Sequence, residues 1–243
     1  MVDQELKHIL NIDPQATLAT RGFFANYPVD EFHIRNNSAL IIGTSNHRWI
    51  HCVGNDKNDL AKLLNTHHDL SPYYYSVEDW MLPLILKHGE EDWCMETLRF
   101  VLDADVPIPE ASSATLTLDL SYAEFVHKNS DYKDYTDLAY ICDRLSNDIS
   151  AAIVKDEKPV AWGLTHDDGS LGFLHVLSEH RKRGYAHDIS NSLIALKRQL
   201  GQPVFCNIVP GNIPSINLVE SLGFKFDKKI IWLKLRENVK RKT

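Results

Sequence analysis

The chain has 243 residues, of which 44% are apolar and 24% are charged, the balance of an ordinary globular protein. Its formal net charge of -7 argues against the broad basic surface on which nucleic-acid binding normally depends. No segment approaches the ~18 apolar residues that a membrane-spanning helix needs, and the first residues include acids. We therefore expect a cytoplasmic protein with no nucleic-acid or membrane partner. The basic tail at residues 234–242 is interpreted as a solvated terminus.

The cysteines and histidines do not predict a metal site. The four cysteines are far apart and form no C-x-x-C pair: Cys52, Cys94, Cys142 and Cys206. The histidines lack the spacing that would bring several of them onto one element as zinc ligands. We expect reduced thiols and no bound metal.

The first half of the chain predicts a small α/β domain without a motif that indicates chemistry. Apolar runs bounded by turn residues predict strands at residues 32–34, 38–44 and 49–53. Capping residues followed by helical apolar spacing predict helices after Asp56 and Ser76, and residues 96–102 predict another strand. The prolines and serines of residues 107–113 indicate a linker. We therefore expect an accessory domain at residues 1–112 and a second domain at residues 113–243.

The second half predicts a regular order of strands and helices. Turn signals of hairpin length separate three of the strands, so that part of the sheet should be an antiparallel meander. The predicted elements are a strand at residues 114–120, helices at 122–127 and 135–145, strands at 149–155, 159–165 and 171–177, a helix at 184–200, a strand at 203–208, a helix at 213–222 and a strand at 224–235.

The turn after the strand at residues 171–177 gives the strongest chemical signal. It reads Arg181-Lys182-Arg183-Gly184-Tyr185-Ala186 and opens a predicted helix. A helix start binds anions because its first N–H groups have no intrahelical acceptor and the macrodipole is positive there. The Lys-Ser/Thr signature of a P-loop is missing, and the preceding strands form hairpins. A pyrophosphate on a carrier cofactor therefore fits better than a nucleoside triphosphate.

This turn and its surroundings resemble the GNAT acyltransferase superfamily. Arg181, Gly184 and Ala186 match the three fixed places of the cofactor-binding motif Q/R-x-x-G-x-G/A. The strand with Trp162, the turn at Gly169 and the segments 212–215 and 221–224 follow in GNAT order. The details are most similar to the glycine N-acyltransferase and FR47-like branch. The resemblance spans residues 118–236 and implies an α/β fold with a mixed, largely antiparallel central sheet flanked by helices, preceded by a smaller α/β half, itself an accessory domain or a degenerate GNAT-like duplicate.

The resemblance also implies the substrates and the residues that bind them. It implies an N-acyltransferase that moves an acyl group, most often acetyl from acetyl-CoA, to a primary amine on a small molecule. The pantetheine arm would bind to backbone groups where the strand splays from its neighbour. The residues implied are Leu174, His175 and Val176 for pantetheine, Arg181, Lys182, Arg183, Gly184, Tyr185, Ala186 and His187 for the pyrophosphate, and Asn212 and Ser215 on the other side of the cofactor.

The catalytic acid and base are the points where the sequence departs from this family. Ser170 stands where the glycine N-acyltransferase branch has a Glu, and Val219 stands where many GNAT enzymes have a Tyr. His175 and Asp168 are the candidate bases, although the ring of His175 would be useless if it pointed to the opposite face of its strand. Two alternatives stay open: an enzyme, or an acyl-CoA-binding or sensor protein that has lost its acid and base. The apolar run at residues 230–233 raises a further alternative, a homodimer paired through the final strand.

Overall fold

The computed structural model describes residues 4–130, 133 and 136–236. The chain divides into two units: the described residues up to Leu98 together with those from Lys228 onward, and the residues from Arg99 to Asp227. The predicted linker at residues 107–113 and the predicted boundary after residue 112 lie inside the second unit, so the predicted domains do not coincide with these units. Two expectations, the helix start at Tyr135 and the basic tail beyond Arg236, lie outside the described residues.

The first unit contains helices around a mixed sheet. The predicted strands at residues 32–34, 38–44 and 49–53 are confirmed, but two N-terminal helices and one strand were not predicted. The elements are α1 (Gln4–Ile12), α2 (Leu18–Asn26), β1 (Glu31–Arg35), β2 (Ser38–Thr44), β3 (Arg48–Val53), α3 (Lys57–His67), β4 (Tyr73–Val77), α4 (Leu82–Ile85), and the larger parts of β5 (Glu91–Leu102) and β10 (Lys225–Leu235).

The sheet of the first unit contains antiparallel and parallel pairs. β1, β2 and β3 form an antiparallel meander, and β3 continues through α3 to the parallel strand β4. β10 pairs antiparallel with β4 and lies between β4 and β5 in the strand order. The final strand is therefore not a free edge, and the idea of a homodimer paired through it is wrong, because its apolar run at Ile231 and Leu233 is already buried inside the sheet.

His51 lies in a buried aromatic cluster of the first unit. Its ring centroid is 4.6 Å from that of Phe23, 4.8 Å from that of Phe24 and 4.5 Å from that of Tyr75. The side chain is fully buried, and its Nδ1 lies 3.3 Å from Thr20 Oγ1. Burial lowers the pKa of His51 to about 3, because these surroundings cannot solvate an imidazolium ion.

We expect His51 to make the stability of the chain dependent on pH. The folded pKa of about 3 lies below the ordinary value of 6.5, so below pH 6.5 the unfolded state binds a proton that the folded state does not. The contribution of neutral His51 is fully present above pH 6.5 and declines as the pH falls towards 3, by about 2 kcal/mol at pH 5. Urea unfolding at pH 7 and pH 5 should show a smaller difference for His51→Phe than for the wild type; an equal difference would contradict this assignment.

The second unit contains the elements that surround the motif-bearing turn. The predicted meander, crossover helix and following strand are all confirmed. The elements are α5 (Ala123–Asn129), α6 (Leu138–Asn147), β6 (Ser150–Lys155), β7 (Lys158–Thr165), β8 (Leu171–Val176), α7 (Tyr185–Gln199), β9 (Val204–Ile208), α8 (Ile213–Ser221), and the remaining ends of β5 and β10.

The strand predicted at residues 114–120 is wrong. Only Leu116 pairs with a strand, through a single antiparallel bridge to Ala152 in β6. Polar contacts attach the rest of the segment to helices and not to a neighbouring strand. Thr115 Oγ1 donates to Ser192 Oγ on α7 at 3.0 Å, and Asp119 caps the short turn before α5. The apolar periodicity therefore reflects a segment laid along the edge of β6 and not a full strand.

Two apolar layers cover the two faces of the sheet in the second unit. One layer joins α7 to the strands and includes Ile189, Leu193 and Ala161, with Leu174 and Val176 packed against it. The other joins α5 and α6 to the strands and includes Trp162, with Phe173 packed against it. Successive residues of a strand point to opposite faces, so each β8 side chain can be assigned to the α7 face or to the α5 and α6 face.

The two halves of the chain repeat one order of elements. Each has two helices, an antiparallel meander of three strands, a crossover helix, a parallel strand, a short helix and a long strand. The predicted fold class, a mixed α/β sheet flanked by helices, is confirmed, and this shared order agrees with the suggested duplication. The long strands β5 and β10 each contribute residues to both units, which explains why a boundary based on a linker does not match the units.

Candidate functional site

A bulge interrupts β8 at Phe173. Trp162 of β7 lies opposite His175, and Leu164 lies opposite Gly172, so three steps on β8 face two steps on β7. Phe173 is the extra residue of this bulge. Its φ of 51° lies in the left-handed region, which residues with side chains disfavour. A bulge of this kind bends the strand and redirects its backbone groups.

β8 and β9 diverge after a single paired position. The only registered partners of these two parallel strands, within the described residues, are Leu171 and Cys206. The equivalent parallel pair in the first unit, β3 and β4, has three paired positions. This register agrees with the splay that the resemblance implies, and it leaves the β9 side of β8 near Leu174 open to an extended ligand that bonds as a strand would.

The turn between β8 and α7 leaves the first turn of the helix uncapped. Lys182 and Gly184 have φ values of 60° and 81°, and α7 begins at Tyr185 without a side-chain cap. The first backbone bond into the helix runs from the Asp188 N–H to the Gly184 carbonyl. Within the described residues, no acceptor receives the N–H groups of residues 182–187, so this helix start keeps its capacity to bind an anion.

Three basic side chains surround this uncapped turn, and all are exposed. Arg181 donates from Nε to the Val176 carbonyl at 3.0 Å, which ties the turn to the end of β8. Arg183 donates from Nη2 to the Glu179 carbonyl at 3.3 Å. Positive charge from Arg181, Lys182 and Arg183 thus adds to the positive end of the α7 dipole.

Gly184 is the position of the turn where an added side chain would most directly obstruct a ligand at the helix start. A Cβ added there would meet no atom within 4 Å, so the space in front of the helix start is open. The positive φ also disfavours other residue types. Tyr185, next in the chain, packs its ring among Ile189 and other core residues, so it can offer a ligand its backbone N–H.

The remaining predicted cofactor residues lie on α7 and α8. His187 Nε2 is 3.1 Å from Ser221 Oγ, which connects the first turn of α7 to the last residue of α8. Asn212 caps the other end of α8, where its side-chain oxygen accepts from the Ser215 N–H at 3.3 Å. Both Asn212 and Ser215 are half-buried.

The corresponding helix start in the first unit is closed. Asp56 caps α3, and its carboxylate accepts from the N–H groups of Asn58 and Asp59 at 2.8 and 3.0 Å. A carboxylate there uses the donors and repels another anion. The two crossover helices therefore differ in both capping and strand pairing, and only the second combines an uncapped start with diverging strands.

His175 lies on the face of β8 opposite α7. Its ring stacks on Trp162 with centroids 4.8 Å apart and an interplanar angle of 26°, and Trp162 belongs to the apolar layer of α5 and α6. Its neighbours Leu174 and Val176 pack against the α7 layer. The ring of His175 and the side chains next to it therefore point to different faces of the strand.

Asp168 lies in the buried turn that precedes β8. Its carboxylate accepts from the Ser170 N–H at 2.8 Å, and Asn207 Nδ2 of β9 lies 3.5 Å away. Burial, followed by the charge of neighbouring Asp167, raises the pKa of Asp168 to about 6. Lys197 of α7 is also buried beside this turn, and burial lowers the pKa of its amine. The result is a carboxyl group that can exchange a proton close to neutral pH.

Ser170 and Val219 do not replace the acid and base that the family usually has. Ser170 is 1% exposed, and its hydroxyl does not titrate near neutral pH. Val219 is half-buried on α8 and cannot transfer a proton. Any proton transfer at this site would have to involve other groups.

Asp188 has a structural role that the sequence did not predict. Its carboxylate, in the first turn of α7, accepts from the N–H groups of Ser112 and Ser113 at 2.8 and 3.2 Å. This contact fastens the proline-rich segment to the helix and occupies the one acidic group of that first turn. The acidic position in a first helical turn was visible in the sequence, but its partner, 75 residues away in the chain, was not.

Comparison with known proteins gives a family match for part of the chain and a shared fold for most of it. Residues 152–233 match the FR47-like protein family. The fold is similar to that of a Drosophila protein, with a TM-score of 0.78, 17% identity and 97% of each chain covered. A GCN5-related N-acetyltransferase from Kribbella flavida has a TM-score of 0.59 and 12% identity, covering 93% of this chain and 96% of that chain. The resemblance to the FR47-like branch is confirmed for residues 152–233, and the chain shares its fold with structures of GNAT acetyltransferases.

The FR47-like match covers the elements that form the site. It begins within β6 and ends within β10, and so contains the bulge, the uncapped turn and α8. A tandem GNAT protein from the clavulanic acid biosynthesis pathway also shares the fold, with a TM-score of 0.52 and 13% identity, covering 91% of this chain and 88% of that chain. At these identities the structural similarity shows the fold.

Across residues 4–130, 133 and 136–236, no helix combines the length and apolar character needed to cross a bilayer. Over the same ranges, no three His, Cys, Asp or Glu side chains are grouped closely enough to hold a metal ion.

Proposed function

We propose that the second unit carries a CoA-dependent N-acyltransferase site that moves an acyl group, most often acetyl, to a primary amine on a small molecule. The observation that carries this proposal is the uncapped start of α7 beside strands that diverge. A helix start suits a pyrophosphate, and an open strand edge suits the amides of pantetheine. The closed helix start in the first unit supports a single cofactor site.

The cofactor would extend from the turn back along β8. Its pyrophosphate would accept from the N–H groups at Gly184, Tyr185 and Ala186, beside the positive charges of Arg181 and Arg183. Its pantetheine amides would pair with the backbone of residues 174–176. This direction brings the thioester to the bulge at Phe173, where the acceptor amine would attack.

The reaction requires proton transfer as well as positioning. The amine nitrogen forms a bond to the thioester carbon, the C–S bond breaks, the amine proton goes to a base, and the thiolate takes up a proton. We propose His175 and Asp168 as the candidate bases. His175 is half-buried with its ring on the α5 and α6 face, and it would act only on an amine that approaches from that face, whereas Asp168 is 1% exposed and would act through an intervening water.

A second candidate function is an acyl-CoA-binding or sensor protein. Ser170 and Val219 favour it, because neither can serve as the usual base or acid. The cofactor site would be the same under both functions. The two therefore differ only in whether the bound thioester reacts with an amine.

Thiol release from acetyl-CoA separates these two functions. We expect thiol release that depends on a primary amine. The rate of this release should fall about 100-fold when the true base is removed. His175→Gln and Asp168→Asn identify that base, because each substitution retains the approximate shape and removes the titrating group. Tight CoA binding with no amine-dependent release across a panel of amines would instead support the sensor, and failure to bind CoA would reject both.

A further inference from the structure

His166 lies directly over the bulge of β8. It follows the last residue of β7, and a Cβ added to Gly172 would fall 2.2 Å from its Nε2. Its ring centroid is 4.6 Å from that of Phe173, the bulge residue. Glycine at position 172 therefore makes room for this imidazole, which lies where the proposed thioester would end.

Contacts from α6 hold His166 in this orientation. The Asp167 N–H donates to Tyr140 Oη at 3.2 Å, and Tyr140 Oη lies 3.5 Å from His166 Nδ1. Arg144 Nη1 donates to the His166 carbonyl at 3.3 Å. Tyr140 Oη accepts from Asp167 and can donate its own hydrogen to Nδ1 in the tautomer that carries the ring hydrogen on Nε2.

The other ring nitrogen is available to a ligand. His166 is half-buried, and its Nε2 has no hydrogen-bond partner within the described residues. Burial lowers the pKa of His166 to about 4, with the Arg144 charge acting in the same direction and the Asp167 charge opposing it. The ring is therefore neutral at pH 7, when it is a weak base but a competent N–H donor.

We propose that His166 donates a hydrogen bond from Nε2 to the thioester carbonyl oxygen, and that Tyr140 is the positioning residue that keeps the hydrogen on Nε2. This inference rests on the proposed acyltransferase function and adds a residue to it. As the amine forms the C–N bond, the carbonyl electron pair moves to oxygen, where the Nε2–H stabilises it. The pair returns as the C–S bond breaks, and His166 gains and loses no proton.

Three variants test the donor role. His166→Ala removes the donor, His166→Gln keeps an N–H donor but cannot accept a proton from an ammonium ion, and Tyr140→Phe removes the hydrogen bond to Nδ1. We expect kcat/KM to fall about 100-fold for His166→Ala and by less than about 10-fold for His166→Gln. The loss of kcat/KM in Tyr140→Phe should lie between the losses in His166→Gln and His166→Ala. Equal losses for Ala and Gln would overturn the donor role.

A spectroscopic measurement tests the same contact without turnover. Acetyl-CoA labelled with ¹³C at the carbonyl should show a red-shifted carbonyl stretch when bound to the wild type and to His166→Gln, and no such shift with His166→Ala. His127→Gln, a change at another half-buried histidine of this unit, is the control and should keep the shift. CoA affinity measured by calorimetry reports whether each variant is folded.

Failure of the role of His166 can be distinguished from failure of the proposed acyltransferase function. If wild-type chain binds acetyl-CoA but the carbonyl stretch is the same in wild type and His166→Ala, the role of His166 is overturned and the cofactor site stands. If the wild type binds no acetyl-CoA, the proposed function fails and the inference fails with it.

Discussion

Gly184→Asp is expected to weaken CoA binding by about 100-fold. The substitution adds a carboxylate at the uncapped start of α7, where no atom lies within 4 Å of the new Cβ. It would reproduce the condition of α3, whose start is closed by Asp56. The carboxylate would compete for the N–H groups and repel the pyrophosphate. Isothermal titration with CoA measures the effect.

Two variants separate charge from backbone strain in this experiment. Gly201, at the other end of α7, also has a positive φ and no atom within 4 Å of an added Cβ, so Gly201→Asp is the matched control. Gly184→Asn keeps the size of Asp without its charge and tolerates the left-handed conformation better than most residues. Both should change CoA affinity by less than about 10-fold. Retained CoA binding in Gly184→Asp would reject the proposed site.

Asp227→Ala is expected to lower the free energy of unfolding by about 3–5 kcal/mol. Asp227 accepts from Arg99 Nη2 at 2.6 Å and from Nε at 2.7 Å, and the Arg99 side chain is 0% exposed. Removing the carboxylate leaves a guanidinium charge in the interior of the second unit without its main counter-charge. Urea unfolding measures the loss.

An exposed ion pair close to this one supplies the control. Lys225, also on β10, pairs with Asp103 at 2.6 Å, and the two side chains are 73% and 51% exposed. Lys225→Ala should cost less than about 1 kcal/mol, because solvent screens exposed charges. The double change Arg99→Met with Asp227→Leu should recover part of the stability lost in Asp227→Ala. A loss in Lys225→Ala equal to that in Asp227→Ala would contradict the importance of burial.

Local sequence pattern predicted most of the second unit correctly. The strands at β6, β7 and β8 alternate with turns of hairpin length, and α7 has a broad apolar face, so their signals lie within a few residues of each other. The wrong predictions concern segments whose conformation depends on contacts with residues far away in the chain. The segment at residues 114–120 has strand-like periodicity, but Thr115 bonds to Ser192 on α7, and only Leu116 pairs with β6.

The candidate site likewise contains features that the local sequence predicted and features that only the tertiary structure revealed. The sequence by itself predicted the basic turn at the start of α7, because the positive φ of Gly184 and the run of basic residues are local properties. Only the tertiary structure decided the rest: how soon β8 diverges from β9, which face carries the ring of His175, and that His166 lies against Gly172 with Tyr140 Oη 3.5 Å from its Nδ1. These depend on strand register and on side-chain packing between elements far apart in the chain, and a shift of register by one residue would exchange the two faces of β8.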